Sequence, residues 1–370
     1  MTIKKSLTIL ILTAFTLLIQ GCSSDDGGGS VNEFDRQAML QNIGNNMIVP
    51  AYDNLATEVG DLRSAINTFT NAPTEGNLQS ARSAWEDAYT AWQYAAPFNF
   101  GPADTDVGML SVLISTWPVD VALVEQRIGN GDLAMNSLDR DTRGFLTIEY
   151  LLYEDSKPDT EIVADFIGEA NANRRAYLEA VVNDIDTKVG AVDAAWDTYI
   201  DTFVSNDGTS PGSSVSLLFN EFNRHFELIK NFKIGLPAGT RPGQAGPAPE
   251  TTEAYYSGKS LDFALYSLEA ADNVWYGRGL DGMDGIGFEE YLASVPGGEE
   301  LVADTQSSWT SLMTVINSIP SQQPLSETVV SNQQAVSDAY TALQQHTRYF
   351  KSDLSSRIGI SITYSSGDGD

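Results

Sequence analysis

The chain has 370 residues, of which 42% are hydrophobic, and its formal net charge is −29 at pH 7 with a pI of about 4.2. This apolar content is enough for a large core and for two packed units. A chain this acidic repels nucleic acid and anionic lipid headgroups and attracts cations, so we expect no nucleic-acid partner. A soluble extracytoplasmic surface would carry the same kind of charge.

The N-terminal segment has the pattern of a targeting signal. Lys4 and Lys5 precede an apolar run at residues 7–19, which is too short to span a bilayer comfortably. The run ends in Ile-Gln-Gly-Cys and resembles a bacterial lipoprotein signal, with Cys22 as the only cysteine of the chain. We therefore predict a signal peptide at residues 1–21 and lipidation of Cys22. A single cysteine also excludes disulfides within the chain and thiolate metal sites.

The residues after Cys22 predict where the anchored protein resides. Ser23 rather than Asp follows the cysteine, which in lipoprotein sorting resembles a signal for the outer membrane. The stretch SSDDGGG resembles the acidic surface-export tag of Bacteroidota lipoproteins, and it also has the composition of an ordinary flexible tether. No second long apolar run follows. We expect residues 22–31 to tether a lipid-anchored outer-membrane protein that can be exposed on the cell surface.

From residue 31 onward the apolar residues follow a helical period, recurring at spacings of three and four. The clearest sets are Leu78, Ala81, Trp85, Ala88, Trp92 and Ala96, and Leu178, Val182, Ile185, Val189, Val192, Trp196 and Tyr199. Residues 257–276 and 333–356 have the same amphipathic pattern. Only ISITY, at residues 360–364, is a candidate strand. The sequence therefore predicts an all-α protein with long helices and irregular loops.

Two polar stretches divide the helical pattern. SNDGTSPGSS, at residues 205–214, is the strongest candidate for a domain boundary. It predicts two helical bundles packed side by side, an N-terminal one at residues 32–205 and a C-terminal one at residues 206–370. Residues 235–250, rich in Pro and Gly, cannot form a regular helix, and their length makes them a candidate functional loop at the surface.

Four segments fit one known pattern, in order and over most of the mature chain. They are ARSAWEDAYTAWQYAAPFNFGP, TWPVD, RGFLTIEYLL and SLDFALYSLEAADNVWYG, with GDGD at the tail. Together they resemble the imelysin-like family, also called insulin-cleaving peptidase-like or peptidase M75 proteins. The resemblance implies a fold of two helical bundles, a periplasmic or outer-membrane location and a link to iron uptake.

The chain departs from the family at its signature, Gly-x-His-x-x-Glu. Gly144 and Glu149 match the first and last positions, but Leu146 replaces the histidine. Ala96 stands where the family often has a glutamate ahead of the Phe-x-Phe-Gly-Pro corner. Two positions that could ligate a metal therefore lack a ligand atom. Iron or zinc binding at this site does not carry over, and the peptidase activity that the family label implies is weakened.

Glu149 lies in an apolar run, and its neighbours three and four positions away on a helix are all uncharged. A buried and unpaired carboxylate is so unfavourable that it must find a partner or take a proton. Glu149 can accept a hydrogen bond from a tryptophan, a tyrosine or a backbone N–H, pair with an arginine, or help to coordinate a cation. We favour the first two, with Trp117 and Arg143 as the nearest partners in the motif set.

Three further acidic residues are candidates on weaker grounds. Asp120 can cap a following helix or act in a site. Asp262 and Glu269 lie seven apart, so they share a helix face that points either to solvent or towards Glu149. Only the second orientation makes a carboxylate cluster, which would prefer iron or another hard divalent or trivalent cation. The candidate metal-binding or ligand-binding set is Gly144, Glu149, Trp117, Asp120, Asp262 and Glu269.

Catalytic motifs are scarce. The only histidines are His225 and His346, and the Glu221–His225 spacing of four is most simply an exposed helix pair. The chain has no HExxH, G-x-S-x-G or P-loop pattern, and no serine has the context of a triad. We assign no catalytic residue.

These observations support one leading hypothesis and two alternatives. The leading hypothesis is a non-catalytic, surface or outer-membrane imelysin-like lipoprotein, an accessory in iron or haem acquisition that binds a ligand or metal in a cleft between the bundles. Its partners would be the outer membrane, through the lipid on Cys22, and iron or haem uptake proteins. One alternative is a metallopeptidase of the M75 type.

The other alternative is a general peptide-, glycan- or protein-binding lipoprotein that has lost its metal site. The candidate binding elements would be the loop at residues 235–250 and the aromatic residues Tyr255, Tyr256, Trp275 and Tyr276.

Overall fold

The computed structural model describes residues 34–136, 138–154 and 157–364, and within these ranges every regular element is a helix. This confirms the all-α prediction. The predicted signal peptide, Cys22, the tether and the GDGD tail lie outside the described residues. The residues from Phe34 onward form one unit. None of the helices in the described ranges combines the length and the apolar character needed to cross a membrane.

The helices are numbered here in chain order. They are α1 (Arg36–Ile43), α2 (Val49–Asn71), α3 (Glu75–Ala95), α4 (Pro102–Thr105), α5 (Leu110–Ile114), α6 (Val121–Asn130), α7 (Phe145–Tyr153), α8 (Asp159–Ala164), α9 (Ala172–Ser205), α10 (Ser214–Leu228), α11 (Leu236–Ala238), α12 (Ser260–Tyr276), α13 (Phe288–Ala293), α14 (Gly298–Ile316), α15 (Leu325–Ser331), α16 (Gln333–Arg348) and α17 (Ser355–Ile358). π-Helical stretches join α1 to α2, α10 to α11 and α16 to α17 (Gly44–Ile48, Ile229–Gly235 and Tyr349–Leu354).

The periodic apolar residues form the core, as their spacing predicts. On α3, Leu78, Trp85 and Trp92 are buried, and α9 buries its stripe from Leu178 to Trp196. Helices α3 and α9 both pack against α2, and α7 packs against α3 and α9. Since each stripe needs a facing surface to leave water, these helices stabilise one another.

The second half of the chain packs in the same way, and the two halves share a core. Helix α10 packs against α12 and α16, α14 packs against α16, and α12 also packs against α3 of the first half. The buried apolar residues form one cluster that extends from Met39 to Ile360. The predicted boundary falls where α9 ends at Ser205 and α10 begins at Ser214. Division into two bundles at this point stays a prediction.

Two segments outside the long helices, residues 235–250 and 360–364, can be compared with their sequence-based predictions. The Pro- and Gly-rich segment is irregular from Gly239 to Ala248, but its first residues are helical, in the π-helical stretch that ends at Gly235 and in α11. It folds back so that the Ala248 N–H donates to the Pro237 carbonyl at 2.9 Å. The strand suggested for ISITY is wrong. The side-chain amide of Asn220 takes the place of a partner strand there, because it accepts from the Thr363 N–H at 2.7 Å and donates to the Ser361 carbonyl at 3.1 Å.

Gly144 begins α7 in a conformation that only glycine adopts readily. Its φ is +82°, and a Cβ added there would lie 2.4 Å from the carbonyl oxygen of Ile114. The missing side chain therefore lets the end of α5 approach the start of α7. This close approach fixes the entry of the helix that carries Leu146 and Glu149.

We predict that Gly144→Ala destabilises the fold more than the same change at Gly168. Gly168 has nearly the same backbone conformation, with φ of +83°, but open space where its Cβ would point. Each substitution costs about 1–3 kcal/mol of backbone strain, and Gly144→Ala adds about 1–3 kcal/mol for the clash with Ile114. Urea denaturation measures the difference. Equal losses at the two positions would show that the contact with Ile114 does not limit residue 144.

Candidate functional site

Two cavities share Trp117 as a lining residue. The Glu149 cavity, of about 330 Å³, is lined by Trp117, Leu146, Glu149, Tyr255 and Tyr256 among others. The Lys233 cavity, of about 230 Å³, is lined by Trp92, Trp117, His225, Phe232 and Lys233 among others. The indole ring of Trp117 has its centroid 5.9 Å from the Lys233 ammonium, within the range of a cation–π contact. These cavities are the candidate functional site.

The structure shows which group the carboxyl group of Glu149 contacts within its apolar surroundings. Its side chain is 1% exposed, and Oε1 accepts the backbone N–H of Ser257 at 2.6 Å. Burial raises the pKa of Glu149 to about 8, even though the Ser257 and Tyr256 N–H groups and the Ser257 hydroxyl act in the opposite direction, and the charge of Glu253 adds to the rise. Of the three alternatives, the structure realises the backbone N–H partner. At neutral pH the group is mostly a neutral carboxylic acid.

Arg143 is not the partner of Glu149. Its Nη2 lies 2.9 Å from Asp184 Oδ2, and its Nη1 donates to the carbonyls of Met135 and Asn136. Arg143 precedes the helix start at Gly144, and its side chain extends towards α9 rather than towards Glu149. Trp117, the other suggested partner, lines the Glu149 cavity.

Of the two orientations considered for Asp262 and Glu269, the structure shows the one that makes no carboxylate cluster. Asp262 and Glu269 share a face of α12, but that face is exposed. Asp262 lies 3.8 Å from Lys259 of its own helix start, and Glu269 adds to the rise in the pKa of Tyr94 that burial causes. Asp120 caps α6, because its side chain accepts the Leu123 N–H at 3.0 Å. The helical period correctly placed Asp262 and Glu269 on one face but could not say which way that face points.

The positions that depart from the family signature lie in the cavity walls. Leu146 is one turn before Glu149, is buried and lines the same cavity, and Ala96 lines the Lys233 cavity. Neither offers a ligand atom. Within the three described ranges, no group of three or more His, Cys, Asp or Glu residues is arranged to hold a metal ion. The residues present therefore do not fit a metal centre at Glu149.

The Lys233 cavity contains a buried ion pair that sequence analysis missed. Lys233 is 3% exposed and Glu253 1%, and the ammonium lies 2.8 and 2.6 Å from the two carboxylate oxygens. The ammonium also donates to Gln93 Oε1 at 2.8 Å, and the Tyr89 hydroxyl donates to Glu253 Oε1 at 2.6 Å. Burial lowers the pKa of Lys233, and the charge of Glu253 opposes that shift. Every hydrogen of the ammonium thus has an acceptor.

His225 differs from the sequence expectation of an exposed pair with Glu221. Both residues are buried, and Glu221 instead holds Arg224 through contacts of 2.7 and 2.5 Å. His225 Nε2 lies 3.0 Å from the carbonyl of Ser267, and burial lowers the pKa of the imidazole to about 3. Because a carbonyl only accepts, Nε2 carries the proton and the ring is neutral.

The aromatics suggested for a binding surface separate into two groups. Tyr255 and Tyr256 line the Glu149 cavity. Trp275 is buried and packs edge-on against Phe350, and Tyr276 is half-buried beside a much smaller cavity of about 10 Å³. Only the first group belongs to the candidate site. The walls of the Glu149 cavity combine aromatic rings with the buried acid Glu149 and the exposed carboxylate Glu250, an arrangement suited to holding an organic molecule.

Comparisons with known proteins agree on one family. The imelysin family model, Peptidase_M75, matches residues 48–350. A curated relative, Iron-regulated protein A from Synechococcus elongatus, is 26% identical over 258 residues, which are 66% of this chain and 65% of the relative. The chain thus spans about 65% of the length of that relative.

Two solved structures share the fold. One is an iron-regulated protein A precursor from Parabacteroides distasonis, with a TM-score of 0.71 and 19% identity over 86% of this chain and 94% of that one. The other is an imelysin-like protein from Psychrobacter arcticum, with a TM-score of 0.69 and 19% identity over 89% of this chain and 97% of that one.

We predict that Lys233→Met lowers the free energy of unfolding by about 3–5 kcal/mol, because Glu253 would remain buried without its counter-ion. The double variant Lys233→Met, Glu253→Gln should recover about 1–2 kcal/mol of that loss, since neither side chain is then charged. Chemical denaturation of wild type and the two variants checks this. A double variant less stable than Lys233→Met would show that the loss does not come from the unpaired charge.

The pKa of Glu149 predicts a pH dependence with a definite sign. The folded pKa of about 8 lies above the ordinary value of 4.5, so between these pH values only the unfolded chain gives up the proton. The contribution of Glu149 is complete below pH 4.5 and is lost as the pH rises to about 8, by at most about 1.4 kcal/mol per pH unit. Glu149→Gln cannot ionise, so the stability of wild type relative to this variant should fall across the window.

Denaturation of both proteins between pH 4.5 and 8 measures this difference, and unrelated titrating groups cancel. Ser257→Ala serves as the companion variant. It removes a hydroxyl that favours the charged form, so it should extend the decline to higher pH. A difference between wild type and Glu149→Gln that is constant or rises with pH would contradict the assignment.

Proposed function

The chain belongs to the imelysin family, and on that premise we propose that it is a non-catalytic accessory protein of iron or haem acquisition that binds a ligand in the Glu149 cavity. The link to iron is supported by the relative named Iron-regulated protein A. The proposal includes a lipid anchor at Cys22 in the outer membrane, supported by the sequence pattern alone. Uptake proteins in the same membrane would be its partners.

One observation carries the proposal: the cavity at the family signature is present, while its metal-ligand position is apolar. Leu146 and Glu149 both line a space of about 330 Å³ beside Trp117, Tyr255 and Tyr256. A space of this size among aromatic rings favours an organic molecule over a bare ion. In an iron-linked process, that molecule would be an organic carrier of iron or a precursor of one.

The state of Glu149 supports binding rather than metal-dependent turnover. A neutral acid held by the Ser257 N–H is a poor metal ligand at neutral pH, because a carboxyl group must lose its proton to ligate a metal. The metallopeptidase alternative needs a metal to activate water, and the described walls of this cavity supply no ligand set for one. The neutral acid can instead donate one hydrogen bond to an acceptor on the ligand.

We predict that filling the cavity removes function in cells. A deletion strain should grow more slowly than wild type on iron-limited medium, and the intact gene should restore growth. Leu146→Phe places a ring in the cavity and should fail to restore it. Leu133→Phe makes the same change at an exposed leucine and should succeed. Normal growth of the deletion strain, or full rescue by Leu146→Phe, would refute the proposal.

Calorimetric titration with Fe³⁺ and Zn²⁺ tests the mode of binding. Wild type and Glu149→Gln should show no stoichiometric uptake, whereas Leu146→His restores the signature and should gain it. Stoichiometric binding by wild type that disappears in Glu149→Gln would replace the organic ligand with a metal held by carboxylates.

A further inference from the structure

We propose that the Lys233 cavity is a second binding site, for a small neutral aromatic compound that carries a hydroxyl group, such as a phenol. It shares Trp117 with the Glu149 cavity but has its own polar groups, and it does not rest on the proposed function. Three features carry the proposal: the aromatic walls, the pairing of all four charged side chains in the lining, and the acceptor that His225 offers.

The size and walls of the cavity fit one aromatic ring. Its volume is about 230 Å³, and its apolar lining includes Trp92, Trp117, Leu228 and Phe232. An apolar cavity of about 150 Å³ is enough to hold benzene, so this one has room for a ring with substituents. Aromatic walls add stacked and edge-on contacts that an aliphatic molecule of equal volume would not make.

The charges in the wall select against ions. The charged side chains that line the cavity are Lys233, Glu253, Arg224 and Glu221. They are paired two by two, with contacts between 2.5 and 2.8 Å, and the hydrogens of the Lys233 ammonium are all taken. An ion that entered would lose its hydration without gaining a free counter-charge. A neutral molecule avoids that loss.

His225 gives the cavity a preference for a ligand that carries a hydroxyl group. Because Nε2–H donates to the Ser267 carbonyl and the ring is neutral at pH 7, Nδ1 has no proton and is an acceptor. His225 lines the cavity and is itself buried. A ligand hydroxyl that reaches this nitrogen donates to it, whereas a hydrocarbon of the same shape would leave the acceptor without a bond.

Phe232 connects the cavity lining with the exposed surface. It is 41% exposed although it lines the cavity, and the guanidinium of Arg241 lies 4.7 Å from its ring centroid. One aromatic residue of the lining is therefore accessible to solvent.

The first test is a titration of the purified protein at pH 7 with phenol, toluene, benzoate and benzylammonium, followed by tryptophan fluorescence and calorimetry. Phenol should bind saturably. Toluene should bind about 3- to 10-fold more weakly, as expected for one lost hydrogen bond. Benzoate and benzylammonium should bind at least about 100-fold more weakly because they bring an unpaired charge. Absence of saturable phenol binding, or binding of either ion as tight as phenol, would overturn the proposal.

Variants and a bound probe locate the site. Val112→Phe fills the cavity and should weaken phenol binding at least about 10-fold, while Val330→Phe makes the same change at an exposed valine and should have no effect. His225→Leu should abolish the preference for phenol over toluene. If a variant fails to fold, a wild-type crystal soaked with 4-bromophenol will show where the ligand binds, because anomalous scattering locates the bromine atom. Bromine outside the Lys233 cavity would overturn the assignment.

Discussion

The ion pair between Lys233 and Glu253 is the constraint on which the rest of the site depends. Two charges are withdrawn from water, and this is tolerable only because each finds its full set of partners. Those partners come from distant parts of the chain, with Tyr89 and Gln93 on α3 and Glu253 after the irregular loop. The pair therefore fixes how α3, the π-helical stretch after α10 and the segment before α12 meet.

The environment of Glu149 follows from that arrangement. Ser257, whose N–H it accepts, is only four residues beyond Glu253, so the ion pair anchors the backbone that reaches Glu149. Gly144 acts from the other side, since it lets α7 begin against Ile114. The acid is thus positioned by two backbone features, neither of which involves a charged partner. This explains how a carboxyl group is accommodated in an apolar helix that has Leu146 at the signature's histidine position.

Features that depend on neighbouring residues could be predicted from the sequence, whereas contacts between distant residues could not. The apolar stripes on α3 and α9 were predictable because a helical period can be recognised from residues three and four positions apart. The burial of Glu149 was predictable from its apolar run, but its partner was not, because a backbone N–H has no residue signature and Ser257 lies 108 positions away. Lys233 and Glu253 are separated by an irregular loop, so no spacing rule joins them. His225 looked exposed because a spacing of four with Glu221 says nothing about which elements cover that face.

The position of Trp117 between two cavities makes their occupancies interdependent. A ligand that changes the position of Trp117 in one cavity can change the free energy of binding in the other. Linkage requires this coupling to be reciprocal, with the same factor in both directions. Cooperativity of either sign can thus arise within a single chain, through one side chain and without movement of a helix.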